Sequence, residues 1–99
     1  MKYAKKVEIV IDALEVNAVV KILDEIKVSG YSIIRDVIGK GSRGVRGGDE
    51  FTDLFKNSYI MVLCEEKEMY TIVTAVTPII KKFGGVCITS DVIVAASRR

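Results

Sequence analysis

The residues with the clearest chemical potential lie in one glycine-rich stretch, IGKGSRGVRGGDEFTDLF, at residues 38–55. Its five glycines permit close backbone approach to a ligand, and consecutive backbone N–H groups can form an anion-binding nest. Lys40 adds a point charge, Ser42 adds a hydroxyl donor, and Arg43 and Arg46 add planar guanidinium groups that match phosphate oxygens. We therefore predict that residues 39–46 wrap a phosphorylated small ligand. A solvated surface loop would have a similar composition, and that alternative stays open.

The spacing of this stretch differs from the common phosphate motifs. The GxxxxGK[ST] pattern is absent, and no GxGxxG sequence opens a helix. A second glycine pair, Gly84 and Gly85, could supply main-chain donors to the same ligand, or it could form only a helix-to-strand turn. The acidic end of the stretch, GDEFTDLF, is predicted to contact a partner protein through Phe51, Thr52 and Leu54, or to fold back as a short helical turn.

Composition limits the class of protein. The chain has 99 residues, of which 49% are hydrophobic, so we expect one globular domain over residues 1–99. The net charge of +2 predicts no general affinity for nucleic acid or a membrane surface, and no apolar run suits membrane insertion. Cys64 and Cys87 lie in apolar runs, which indicates buried free thiols in a cytoplasmic protein. Histidine is absent, which removes Cys-His and Ser-His dyads, and we expect neither enzymatic activity nor a metal site.

Apolar periodicity predicts the order β-α-β-β-α-β. The strands are expected at residues 6–12, 31–38, 58–64 and 86–94. The first helix is expected to begin at Leu14 and to end at Ser29 and Gly30. Its predicted apolar stripe consists of Leu14, Ala18, Ile22 and Ile26, with Val19 and Leu23 beside them.

The second helix is expected to begin in an acidic cluster and to end at Gly84, with a kink at Pro78. Its predicted apolar stripe consists of Met69, Ile72, Val73, Val76, Ile80 and Phe83.

This order is typical of an α+β, ferredoxin-like split βαβ fold, whose two helices cover one face of an antiparallel sheet. The third strand is apolar in both phases, with Tyr59, Met61 and Leu63 on one side and Ile60 and Val62 on the other. No chain remains to cover the second face, so we expect the domain to oligomerise through its sheet. Ile60 and Val62 are taken as residues that suit this protein interface.

The sequence resembles the PII signal-transduction superfamily, and more closely its PII-like branch. The resemblance covers nearly the whole chain, through GYSIIRDVIGKGSRGVRGG, NSYIMVLC and KKFGGVCITSDVIV. GKGSRGVR is its most specific part and resembles the adenine-nucleotide motif of that branch.

The resemblance implies a homotrimer with adenine nucleotides in clefts between subunits. Residues 39–57 would form the T-loop, which engages a target protein, either a transporter or an enzyme. The implied regulatory ligand is AMP, ADP, ATP or a cyclic nucleotide such as cyclic AMP, with bicarbonate as a candidate second ligand beside it. The implied setting is inorganic-carbon metabolism. The residues that match the nucleotide-binding positions are Ser32, Gly39, Lys40, Gly41, Ser42, Arg43, Arg46, Phe83, Gly84, Gly85 and Val86.

Two departures bear on the pathway. No tyrosine lies between Gly39 and Ser58, where nitrogen-regulatory PII proteins carry a modifiable tyrosine, and Val86 replaces a lysine of those proteins. Because of these departures, a nitrogen-regulatory PII protein is only the alternative to a PII-like regulator of carbon metabolism.

An acylphosphatase-like enzyme is an alternative of another class. An acylphosphatase would need a phosphate cradle after its first strand, where this chain has DALEVNAVV. An RNA-recognition domain would need stacking aromatics on its central strands, and a metal-tolerance protein of related fold would lack histidine ligands here.

Overall fold

The computed structural model describes residues 1–41, 44–46 and 57–98, with residues 39–41 and 44–46 described by their backbone. In chain order the elements are β1 (Lys2–Asp12), α1 (Val16–Ile26), β2 (Tyr31–Val37), β3 (Gly39–Gly41), β4 (Gly44–Arg46), β5 (Asn57–Cys64), α2 (Glu66–Phe83) and β6 (Val86–Val94). A 3-10 turn at Ala13–Glu15 joins β1 to α1. The two short strands β3 and β4 pair as a separate antiparallel hairpin. The predicted ferredoxin-like order is confirmed, and residues 39–46, expected as a plain loop, contain this hairpin.

The four long strands form one antiparallel sheet in the order β2-β5-β1-β6. The strands β2 and β6 are its two edges. The register places Val37 of β2, Asn57 of β5 and Asp12 of β1 at one end of the sheet, and Val86 of β6 lies at the same end, opposite Val10. β1 begins at Lys2 rather than at the predicted residue 6, because its first residues continue the ladder with β6 as far as Val94.

The core lies between the two helices and one face of the sheet. Its residues are Val7, Ile9 and Ile11 of β1, Ile60, Val62 and Cys64 of β5, and Val16, Val19, Leu23, Met69, Ile72 and Val76 of the helices. Each burial of an aliphatic side chain of this size stabilises the fold by about 1.5–3 kcal/mol. Ile60 and Val62 are completely buried here, so the expectation that they form a protein interface is wrong.

Capping interactions and backbone conformation determine where the two helices begin and end. The N–H of Glu65 donates to Oε1 of Glu68 at 3.0 Å, which satisfies one donor at the start of α2 as the acidic cluster predicts. α2 continues through Pro78 to Phe83 without interruption, and Gly84 forms its C-cap. α1 ends earlier than predicted because Lys27 adopts a left-handed conformation with φ of 65°.

The predicted stripe of α1 is correct in part. Val19 and Leu23 are buried, and Ile22 and Ile26 pack partly buried against the core. Leu14 is 67% exposed and Ala18 is exposed, whereas Val16, which was not predicted, is buried. The 3-10 turn after β1 changes the phase of the helix, which spacing counted from Leu14 could not reveal.

Candidate functional site

The two glycine segments predicted to bind the ligand lie at the same end of the sheet but beyond opposite edges. Gly39 follows β2 at one edge, and Gly85 precedes β6 at the other. Two strands separate these edges, so the segments are about 14 Å apart, three strand spacings of about 4.8 Å. Within one chain, the two predicted walls of the ligand site therefore lie beyond opposite edges of the sheet.

The wall at the β6 edge is a tight turn built by two glycines with positive φ, 87° at Gly84 and 119° at Gly85. The N–H of Gly84 donates to the carbonyl oxygen of Ile80 at 2.8 Å, which ends α2. A Cβ atom on Gly85 would lie 2.4 Å from the carbonyl oxygen of Val10, so only glycine fits there. This close approach fixes the turn against β1.

The neighbours of this turn are accessible. Phe83 is 36% exposed, and the Nζ of Lys82 lies 5.2 Å from the centre of its ring. Val86 begins β6 and is 46% exposed. The turn therefore offers an apolar surface next to backbone groups, which suits a ligand with both an aromatic and a charged part.

The wall at the β2 edge is the β3–β4 hairpin. Gly39 pairs with Arg46, Lys40 with Val45 and Gly41 with Gly44, which brings the chain positions of two predicted cations close to each other. Ser42 and Arg43 lie outside the described residues, as do Phe51, Thr52 and Leu54 of the predicted partner-binding segment. For these five residues the sequence remains the basis of the assignment.

Ser32 does not join the other predicted site residues within one chain. It pairs with Met61 near the start of β2, roughly 20 Å along the strand from Gly39. There it lines a cavity of about 560 Å³, which also contacts Met61, Leu63 and the chain segments at residues 1–4 and 94–97. Within one chain, Ser32 therefore lies at the opposite end of the sheet from the other predicted site residues.

The face of the sheet opposite the helices is apolar with one polar cluster. Its exposed apolar residues include Ile34 (58% exposed), Ile88 (52% exposed) and Val86. The partly buried Val10 and Met61 lie on the same face. We call this surface the open face, and the residues that the structure describes leave it uncovered.

In the middle of the open face, the hydroxyl of Tyr59 donates to Oε2 of Glu8 at 2.6 Å, and Nζ of Lys6 lies 3.6 Å from Oε1 of the same carboxylate. This hydrogen bond and partial burial raise the pKa of Tyr59. No pattern in the sequence indicated this cluster, because its members are separated by half the chain.

The described residues show little that suits covalent or metal catalysis. Burial raises the pKa of the thiols of Cys64 and Cys87, so both are protonated near neutral pH. Among the residues that the structure describes, no three of His, Cys, Asp and Glu are grouped to hold a metal ion. In the same part of the chain, no helix is long and apolar enough to span a bilayer.

The decisive comparison is with family models, of which the one for nitrogen regulatory protein P-II matches residues 4–99. The chain belongs to the P-II family. No curated protein matches the sequence significantly. Proteins of the P-II family are in general signalling proteins without enzymatic activity.

Solved structures place the chain near the PII-like members of the family. CPII, a nitrogen regulatory PII-like protein from Thiomonas intermedia K12 bound to ADP, AMP and bicarbonate, superposes with a TM-score of 0.84 at 25% identity, over 96% of this chain and 91% of CPII. A PII-like signaling protein from Thermus thermophilus gives a TM-score of 0.70 at 19% identity, covering 91% of this chain and 86% of its own. GlnK of B. subtilis gives 0.65 at 15% identity, with 92% and 86% covered. The last two comparisons establish the shared fold.

Proposed function

We propose that this P-II family chain is a PII-like regulator that binds an adenine nucleotide in clefts between the subunits of a homotrimer. The observation that carries the proposal is the position of the two glycine segments, at one end of the sheet but beyond opposite edges. A nucleotide can contact both segments without crossing the sheet if one comes from each of two neighbouring subunits.

The cations and backbone donors are suited to the phosphates. Lys40, Arg43 and Arg46 would neutralise phosphate charge, with Ser42 and the backbone N–H groups of Gly39 and Gly41 as further donors. Gly84 and Gly85 would supply the opposite wall, while Phe83 and Val86 offer apolar contact. Ser32, at the other end of β2, would contribute from the neighbouring copy. The binding of ADP and AMP by CPII, at 25% identity, supports an adenine nucleotide as ligand.

The open face supports assembly. Exposed apolar residues on a monomer are normally isolated from one another. Here several lie on one face, namely Ile34, Ile88, Val86, Val10 and Met61. Met61→Lys should therefore prevent trimer formation while leaving the core of each subunit intact, whereas Val62→Lys should unfold the chain, because Val62 is completely buried. A monodisperse wild-type monomer in sedimentation experiments would contradict the trimer.

The ligand signal would pass through residues 39–57 to a transporter or enzyme, with Phe51, Thr52 and Leu54 at the contact. We place this signal in inorganic-carbon metabolism, in the cytoplasm, because CPII binds bicarbonate and because this chain lacks the loop tyrosine of nitrogen-regulatory relatives. Control of nitrogen assimilation is the second candidate, since the matching family model is that of nitrogen regulatory P-II proteins.

The experiment is calorimetric titration of AMP, ADP, ATP and cyclic AMP, with and without bicarbonate, into wild type, Arg43→Ala and Arg46→Ala. Each lost charge-assisted contact should weaken binding roughly ten- to a hundredfold. Lys in place of either Arg should restore only part of the affinity, because a point charge replaces a bidentate group. Lys21→Ala is the control, since Lys21 is an exposed cation of α1, outside β2 and the hairpin.

The proposal makes two separable statements. If wild type binds none of the four nucleotides, the ligand class is wrong. If it binds and both hairpin variants bind equally well, the phosphates lie elsewhere and residues 39–46 form a solvated loop after all.

A further inference from the structure

Strand β2 contains one extra residue directly before the hairpin. Ile34 pairs with Tyr59 and Val37 with Asn57, so the chain advances three residues on β2 for two on β5. Arg35 and Asp36 therefore lie together opposite Ser58, which is the arrangement of a β-bulge. Asp36 has φ of 60°, and no other non-glycine residue within the described strands has a positive φ.

The bulge changes which face of the sheet the following residues occupy. Residues directly opposite each other in an antiparallel pair share a face, so Ile33 lies on the helix side with Ile60, and Ile34 lies on the open face with Tyr59. Regular alternation would return Val37 to the helix side with Ile33. Its pairing with Asn57 instead places Val37 on the open face, because Asn57 and Tyr59 are two residues apart on the same strand. The chain is thus turned over between Ile34 and Val37.

The amino acid at the bulge suits this conformation. A positive φ is unfavourable for most side chains, and most of all for β-branched ones, but aspartate and asparagine tolerate it. Asp36 is an otherwise unfavourable choice in a strand, since aspartate is depleted in sheets. Its position three residues before Gly39, the first residue of the hairpin, together with the change of face, connects the bulge to the direction in which the chain leaves the sheet.

We propose that Asp36 is a positioning residue for the nucleotide site: its left-handed conformation fixes the bulge that sets the direction in which β2 enters the Gly39–Gly41 and Gly44–Arg46 hairpin. This inference rests on the proposed function, because the hairpin is one of the two nucleotide-binding walls. In this role Asp36 acts through its backbone conformation and not through its carboxylate. The left-handed conformation of Asp36 determines from which face of the sheet the chain enters the hairpin.

The test compares ADP binding by wild type with that of a graded series at one position. Asp36→Asn and Asp36→Gly remove the charge but tolerate a positive φ, and both should bind ADP within about twofold of wild type. Asp36→Ala should bind more weakly, and Asp36→Val and deletion of Asp36 should weaken binding by about tenfold or more, the equivalent of one misplaced phosphate contact. Circular dichroism and sedimentation of each variant show whether the sheet and the assembly remain.

The expected result is that ADP affinity follows the tolerance for positive φ in variants that keep wild-type secondary structure and assembly. Equal affinity of Asp36→Asn, Asp36→Ala and Asp36→Val would overturn the inference. A loss of binding in Asp36→Asn comparable to that in Asp36→Val would also overturn it, because the carboxylate would then be what matters. Asp36→Ala imposes only a mild strain, so the comparison stands even if the valine and deletion variants do not fold. Failure of wild type to bind any adenine nucleotide would instead refute the proposed function.

Discussion

Replacing Gly85 by alanine should strongly destabilise the protein. The residue has φ of 119°, a region that side chains with a Cβ rarely adopt, and that conformation alone costs about 1–3 kcal/mol. In addition, the new Cβ would lie 2.4 Å from the carbonyl oxygen of Val10. Because this oxygen belongs to the backbone of a central strand, relief requires the strand or the turn to move, at a further cost of about 1–3 kcal/mol.

Together these terms give a loss of about 2–6 kcal/mol, a large part of the roughly 5–15 kcal/mol by which an ordinary domain is stable. At about 4–8 °C for each kcal/mol, the thermal midpoint should fall by at least about 8 °C. Differential scanning calorimetry at fixed protein concentration measures this change. Gly84→Ala is the matched control, since its φ of 87° also disfavours alanine, and it should be the milder of the two.

A Gly85→Ala midpoint within about 2 °C of wild type would refute the reasoning. It would mean that the turn can move away from Val10 at little cost. The same variant should also weaken nucleotide binding, because any such movement displaces the wall at the β6 edge.

Three further outcomes are expected. Ser58→Ala should leave stability unchanged or raise it slightly in chemical denaturation, because the Ser58 hydroxyl is fully buried and has no hydrogen-bond partner among the described residues. In Tyr59→Phe, the loss of stability at alkaline pH should be smaller than in wild type, as measured by urea midpoints between about pH 8 and 11. The bond to Glu8 raises the pKa of Tyr59, so the folded state favours the protonated phenol, and this stabilisation is present below about pH 10 and lost as the pH rises through the raised value. Glu68→Ala should lower the thermal midpoint by about 4–8 °C, because it removes the acceptor of the Glu65 N–H at the start of α2.

The fold could be predicted because its signals are local. Alternating β-branched residues in VCITSDVIV and VEIVID, and acidic residues at the start of α2, each determine their own element. Four strands and two helices in this order leave few topologies, and the observed sheet is one of them.

The errors share another cause, which is phase. A 3-10 turn removed Leu14 from the buried stripe of α1. The third strand is apolar on both sides, so periodicity alone did not reveal that Ile60 and Val62 face the helices. Pairing between distant strands decides these matters, and a single sequence does not display it.

The sequence predicts a kind of site but not its arrangement. Glycines and cations in GKGSRGVR indicate a phosphate ligand, and Gly84 and Gly85 are candidate donors because of their position after α2. That these segments lie beyond opposite edges of one sheet follows from the strand order β2-β5-β1-β6, which only the structure supplies.

In the proposed trimer, the distance between Gly39 and Gly85 across the sheet would also link ligand concentration to protein concentration. If each complete cleft needs two chains, an isolated subunit carries only half-sites, and dilution weakens nucleotide affinity as it dissociates the trimer. By reciprocity, bound nucleotide lowers the concentration at which subunits separate. The abundance of the protein would then tune its sensitivity to the nucleotide, with no change in a single contact.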